Sequence, residues 1–160
     1  MNTSNIIKVK FFIDGISFAH ISNCYYLNDV SLHGHNTEIF LEAMGDTSFS
    51  FEELLFSLKK EILRAVNILE HKTIFPQDSL VKIKKNTYFF DVFGESYILP
   101  KSDVLLLPGN NVSLSKIVSY FGFSFKKQLS NELLEKIKLL HSLSLIFSFE
   151  NNVSIEYFFI

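Results

Sequence analysis

An α+β fold built on an antiparallel sheet is predicted, on three observations. Segments that read as strands come first, a long helix follows, then further strands, helices and closing strands, without the βαβ alternation of a parallel sheet. The stretch His33–Met44 alternates with a period of two, with His35, Thr37, Ile39 and Leu41 on one face and Asn36, Glu38, Phe40 and Glu42 on the other. Leu54, Leu55, Leu58, Ile62, Ala65, Val66 and Leu69 recur instead at helical spacing.

Taken in order, Ile6–Ile13 is rich in Ile, Val and Phe and reads as a strand. Asp14-Gly15 is a turn signal, after which Ile16–His20 resumes an extended pattern. Asn, Asp and Ser make Ser22–Ser31 a loop, and His33–Met44 returns as the second strand of an antiparallel pair. Ser48–Glu70 is the strongest helix, with Ser50 and Glu53 forming a capping box. Pro76 ends that region. Leu80–Lys84, Thr87–Val92 and Ser96–Leu99 are short strands of a hairpin-like insert, the last two joined by Phe93-Gly94-Glu95. Leu105–Pro108 leads through Gly109-Asn110-Asn111 into a helix over Ser113–Phe121, and a further helix covers Asn131–His141. Ser144–Phe149 and Val153–Phe159 close the fold around Glu150-Asn151-Asn152.

The chain has 160 residues, 48% hydrophobic and 20% charged, which fits one domain over residues 1–160 with a substantial core. Eighteen Phe residues supply core material and leave apolar surface for an oligomer face. A formal net charge of -2 argues against a nucleic-acid partner. No apolar run reaches the roughly 18–20 residues of a membrane span, and no signal-peptide pattern is present. The single Cys24 forms no internal disulfide, so a reducing cytoplasm is the expected compartment.

His33-Gly34-His35 carries the most chemical information. Residues two apart on a strand share a face, so two imidazoles there can grip one metal ion. His20 lies on the preceding strand, within reach across the loop. Three His ligands with one open position make a catalytic zinc arrangement, although iron, copper and nickel accept the same donors. The residues alone also allow ordinary strand histidines, because a bare His-x-His is common.

Phe18-Ala19-His20 followed by Leu32-His33-Gly34-His35-Asn36 resembles the zinc-site signature of the 6-pyruvoyl-tetrahydropterin synthase and 6-carboxytetrahydropterin synthase family. Further blocks follow in the family's order. Ser50-Phe51 resembles the start of its first long helix, and Leu69-Glu70-His71 resembles a Leu-Asp-His. Leu99-Pro100-Lys101-Ser102-Asp103-Val104 and Leu106-Leu107-Pro108 resemble an insert of archaeal-type members. Asn111-Val112-Ser113 stands in the place of an Asn-Thr-Thr, and Phe149-Glu150 resembles the late strand with the pterin-gripping Glu.

The resemblance implies the tunnelling fold: a four-stranded antiparallel sheet with two main helices on one face, assembling into an oligomeric barrel of trimers or hexamers. It implies zinc on His20, His33 and His35, a pterin anchored by Glu150, and pocket residues Asn111 and Ser113. On local chemistry alone Glu150 reads as a solvated turn residue. His71 reads either as a helix-end His or as an acid–base group oriented by Glu70. Triphosphate-processing members carry a Cys four or six residues before the His-Gly-His, where this chain has Asp29 and Leu27; Cys24 is nine before. Asp29 either shapes a turn or acts as a catalytic acid–base group, as a Glu does in aldolase-type relatives. The function expected on that basis is zinc-dependent, dihydroneopterin aldolase-like cleavage to 6-hydroxymethyl-dihydropterin. The alternatives are 6-carboxy- or 6-pyruvoyl-tetrahydropterin synthesis from dihydroneopterin triphosphate, with Cys24 in the site, and a non-catalytic zinc- and pterin-binding protein. Two basic groups, Lys59/Lys60/Arg64 and Lys82/Lys84/Lys85, read as solvated surface, and His141 as structural.

Overall fold

A long antiparallel hairpin organises the chain. In the computed structural model, which describes residues 6–24, 29–46 and 51–160, β1 (Ile6–Cys24) and β2 (Asp29–Asp46) pair over their whole length. Asp14-Gly15, expected as a turn, lies inside β1. The register runs Phe12↔Phe40 and then Asp14↔Ile39, so Ile13 is the extra residue of a β-bulge. The bulge flips the strand's alternation: Val9, Phe11 and Ile13 face the core before it, Ile16, Phe18 and His20 after it. The turn signal was real as a local irregularity, but the cross-strand ladder continues through it. Likewise the expected loop Ser22–Ser31 is extended up to Cys24 and again from Asp29; its residues 25–28 lie outside the described part.

The remaining strands are β3 (Thr73–Pro76), β4 (Leu80–Lys84), β5 (Thr87–Val92), β6 (Glu95–Pro100), β7 (Val104–Leu107), β8 (Ser142–Phe149) and β9 (Val153–Phe158). The main sheet has six strands in the order β7-β3-β1-β2-β8-β9. Its β1-β2-β8-β9 part is the expected four-stranded antiparallel sheet, while β3 and β7 add parallel pairs on the β1 side. The sequence gives little sign of β3, four residues ending in Pro, yet Ile74 and Phe75 are fully buried there. Strands β4, β5 and β6 form a separate antiparallel sheet, the predicted insert. Phe93 and Gly94, both at positive φ, make its tight β5–β6 turn. Phe75 and Phe90 stack at 4.2 Å between ring centroids and tie this insert to the main sheet, together with Ile21 and Val92.

Three helices, α1 (Phe51–Val66), α2 (Leu114–Gln128) and α3 (Asn131–Ile137), pack on one face of the main sheet. Helix α1 buries Leu54, Leu55, Leu58, Ile62, Ala65 and Val66, the predicted stripe, in the same core as Ile39, Leu41, Leu145 and Phe147 of the sheet. Ser50 of the expected capping box lies outside the described residues. The helix ends four residues short of Glu70, in tight turns that donate Ile68 N–H to Ala65 and Leu69 N–H to Val66. Those turns keep Leu69 in the core and swing the chain into β3, with His71 at φ +56. Helix α2 runs past Phe121 to Gln128 because Phe125 extends the buried stripe, and Ser113 caps it by accepting from Lys116 N–H at 3.3 Å. Helix α3 stops at Ile137, before the expected His141, whose backbone N–H is bonded to Met44 as β8 begins. Among the described residues no helix is long and apolar enough to cross a membrane.

Gly122 sets how closely α2 approaches β9, since a Cβ built there would lie 2.4 Å from ring carbons of Tyr157. Gly122→Ala is expected to destabilise the fold by about 1–3 kcal/mol through overpacking. A lower urea midpoint measures this, and adding Tyr157→Leu should recover part of the loss; strict additivity of the two changes would exclude the clash.

Candidate metal centre

The bulge and the cross-strand register together bring three imidazoles to one spot. His20 and His33 are direct partners across β1 and β2, and His35 is two residues further along the same face. The ring centroids are 4.6 Å apart for His20–His33, 5.0 Å for His20–His35 and 4.8 Å for His33–His35. One ring nitrogen from each lies within 4.8 Å of the others, with His20 buried and the other two half-buried. Phe18 and Phe149 pack against the His35 ring.

The surroundings favour neutral imidazoles. Burial is the main force lowering the His20 pKa from 6.5 to about 4, helped by repulsion from His33 and His35. His35 is lowered by burial and by His33, against an opposing pull from Glu150. On His33, Nδ1 lies 3.3 Å from the Ser31 carbonyl oxygen. The Ser31 hydroxyl lies at the same distance; in the tautomer that donates Nδ1–H to the carbonyl, Nε2 is left as a lone pair. The Nε2 atoms of His20 and His35 meet at 3.1 Å. Two neutral imidazoles can share only one proton there, whereas a cation would accept both lone pairs. Three ring nitrogens converging from two paired strands fit zinc or another divalent metal of similar softness, with a further coordination position open.

A cleft of about 520 Å³ adjoins the cluster, lined by His35 together with Ser17, Asn36, His71, Lys72 and Glu150. Glu150 begins a short 3₁₀ turn at the end of β8 and accepts from Asn36 Nδ2 at 3.0 Å. Asn36 Oδ1 in turn accepts from Ser17 Oγ at 2.7 Å. The Ser17 backbone N–H donates to Glu70 Oε2 at 3.1 Å, and Glu70 Oε1 lies 3.1 Å from His71 Nε2. Glu70 therefore does contact the imidazole next to it in sequence. The left-handed backbone of His71, bonded through its N–H to the Ser17 carbonyl, is what folds the adjacent side chains onto one another.

His20, His33, His35, Glu70, His71 and Glu150 thus gather in one region. Cys24 and Asp29 are backbone partners at the end of the β1–β2 pairing, four residues beyond His20 and four before His33. Asn111 and Ser113 lie instead before and at the cap of α2, where Lys116 Nζ contacts Asn111 Oδ1. Among the described residues no hydrogen bond joins them to the cleft within this chain. Ser17 and Asn36 are members of the site not singled out from sequence. Asn36 carried a signal, since it follows His35 directly on a strand; nothing local marked Ser17.

No protein-family model matches the chain. A putative 6-carboxy-5,6,7,8-tetrahydropterin synthase of Methanocaldococcus jannaschii is 25% identical over 105 residues, 62% of this chain and 64% of that protein. The match therefore spans less than two thirds of that relative's length. The 6-pyruvoyl tetrahydropterin synthase of Plasmodium vivax superposes with a TM-score of 0.75 at 17% identity, over 96% of this chain and 98% of that one. The chain is thus similar in sequence to a 6-carboxytetrahydropterin synthase and similar in fold to 6-pyruvoyl tetrahydropterin synthases. The Plasmodium falciparum 6-pyruvoyl tetrahydropterin synthase has the same fold, with a TM-score of 0.72 at 21% identity over 98% of both chains. In the Plasmodium vivax protein, glutamate-to-alanine and glutamate-to-cysteine forms are described as catalytic-residue mutants. The mixed sheet and three helices of this chain match that fold.

One zinc per chain is expected, and His33→Ala should abolish it while the protein stays folded. Elemental analysis after dialysis measures this; full occupancy in His33→Ala would remove His33 from the ligand set. The metal-free protein should also lose stability in acid. Because the folded His20 pKa is about 4 against 6.5, the unfolded chain binds a proton between those values that the folded chain does not. This contribution is complete above pH 6.5 and declines as pH falls towards 4, by up to roughly 3 kcal/mol. Urea titrations of chelator-treated protein at both ends of that range should show the decline, and His20→Gln should flatten it.

Proposed function

We propose that this chain is a metal-dependent lyase of pterin metabolism, acting as a 6-pyruvoyl- or 6-carboxytetrahydropterin synthase on the C6 side chain of dihydroneopterin triphosphate. The observation that carries the reading is the continuity of the three-histidine cluster with the cleft holding Glu150 and the Glu70–His71 pair. The names of the similar proteins favour synthase chemistry over the aldolase-like cleavage suggested by Asp29 alone. An acidic residue at Asp29 does not argue against a synthase, because a glutamate is described as catalytic in the Plasmodium vivax synthase.

In this reading Glu150 accepts the 2-amino and ring N–H groups of the pterin, and its charge strengthens both hydrogen bonds. The ring is thereby oriented with its C6 side chain towards His35. Zinc, when bound by His20, His33 and His35, supplies Lewis acidity towards the side-chain hydroxyls. Glu70 holds His71 through Nε2, which leaves Nδ1 to exchange a proton with the side chain. Asp29 or Cys24 serves as the second proton-transfer group; the two are backbone partners across β1 and β2. Asn111 and Ser113 would enter the pocket from a second copy of the chain in a homo-oligomer.

The test is incubation of zinc-loaded protein with dihydroneopterin triphosphate and, separately, dihydroneopterin, with product identification. A tetrahydropterin product from the triphosphate is expected. Exclusive formation of 6-hydroxymethyl-dihydropterin from dihydroneopterin would restore the aldolase reading, and no turnover of either substrate would leave a binding protein. Asp29→Asn is expected to lower turnover on the order of 10²–10⁴-fold, as for loss of an acid–base group, while Cys24→Ser is nearly silent. Zinc content is checked in both. The reverse pattern would assign the role to Cys24.

A further inference from the structure

Glu150 is held by Asn36, and Asn36 by Ser17, in a fixed donor direction. An ionised carboxylate only accepts hydrogen bonds, so Asn36 must turn its NH₂ group to Glu150 Oε1, 3.0 Å away. Asn36 then presents Oδ1 to Ser17, whose hydroxyl must donate, at 2.7 Å. Ser17 is anchored independently, because its backbone N–H is bonded to Glu70 Oε2. The three residues come from the turn after β8, from β2 and from β1, so a path of hydrogen bonds runs across adjacent strands from the Glu150 carboxylate to the carboxylate that orients His71. They also form the wall shared by two neighbouring cavities. One is the cleft containing His35 and His71; the other, about 460 Å³, is lined by Gly15, Glu38 and Ser148 as well.

We propose that Asn36, locked by Ser17, is a positioning residue that holds the Glu150 carboxylate in one orientation, both oxygens available to the ligand, and so determines selectivity for a ring edge presenting two adjacent N–H donors. The inference rests on the reading of Glu150 as the pterin anchor. It adds a specificity device that neither the anchor nor the metal cluster supplies. A carboxylate free to rotate would grip the ring through one oxygen at the ring N–H, a donor that a ring with a carbonyl at position 2 also presents. Held by Asn36, it meets that carbonyl acceptor to acceptor, and a site built for donors rejects a ligand that lacks one.

The probes are neopterin and its 2-oxo lumazine analogue, with binding to the zinc-loaded protein followed by fluorescence. The wild type is expected to favour neopterin strongly. Asn36→Asp keeps the size of Asn but sets an acceptor against Glu150, and should lower the neopterin-to-lumazine affinity ratio by about 10-fold or more. Ser17→Ala frees the Asn36 amide and should lower the ratio to a lesser degree, while Ser17→Thr, which keeps the hydroxyl, restores it. Zinc content and circular dichroism establish that each variant is folded, and Asn36→Ser serves if Asn36→Asp is not. A purely structural role would weaken both ligands alike and leave the ratio unchanged, which overturns the proposal. So would equal ratios for Ser17→Ala and Ser17→Thr. Glu150→Gln separates the two levels of the argument. If it leaves the ratio intact, the anchor reading itself fails; if it collapses the ratio while Asn36→Asp does not, only the positioning role of Asn36 fails.

Discussion

Ile13 occupies one side of the β1–β2 ladder without a partner, and the position of every later residue of β1 follows from it. If pairing continued from Phe12↔Phe40 without the extra residue, His20 would lie opposite Leu32, on a ladder whose inward face is shared by different residues. With it, His20 lies opposite His33. A one-residue shift exchanges the two faces of a strand, so the bulge decides whether the third imidazole joins the other two or points away from them. It also keeps both halves of β1 contributing to one core, through Phe11 and Ile13 on one side and Ile16 and Phe18 on the other. Core packing and metal-ligand geometry therefore select the same register.

Gathering three imidazoles has an electrostatic cost in the charged state. Burial disfavours the imidazolium of His20, and each neighbouring ring adds repulsion. The same features that would make a protonated cluster unstable leave neutral nitrogen lone pairs directed at one point. Ser31, on the strand that carries His33 and His35, sets both its carbonyl and its hydroxyl oxygen 3.3 Å from His33 Nδ1 and so holds that ring through the nitrogen away from His20 and His35. The cluster is thus prepared by strands rather than loops, which limits the reorganisation needed on metal binding.

The cleft beside the cluster is assembled differently. Its polar groups come from β1, β2, the turn after α1 and the end of β8, and they are joined by hydrogen bonds rather than by packing. His71 reaches it only because the chain takes a left-handed step between α1 and β3. Glu70 fits that step: its side chain spans from His71 to the Ser17 backbone with one oxygen for each.

The helical stripe from Leu54 to Leu69, the alternation of His33–Met44 and the His33-Gly34-His35 pairing were legible in the sequence, because each is a periodic relation between near neighbours that local backbone geometry converts directly into a shared face. The pairing of Glu70 with His71 was legible as a possibility only. The bulge at Ile13 looked like a turn, since Asp-Gly signals backbone irregularity without saying whether the ladder survives it; that depends on β2 alongside. Strand β3 was hidden because four residues ending in Pro carry little periodicity, and its existence rests on parallel partners 54 and 31 residues away, Ala19 and Val104 facing Thr73. The bonds from Ser17 to Asn36 and from Asn36 to Glu150 likewise join positions distant in sequence and adjacent only across strands. Sequence by itself determined which residues share a face and which chemistry they carry. Tertiary structure alone decided which faces meet, because strand register and the closure of long loops are set by the packing of the whole sheet.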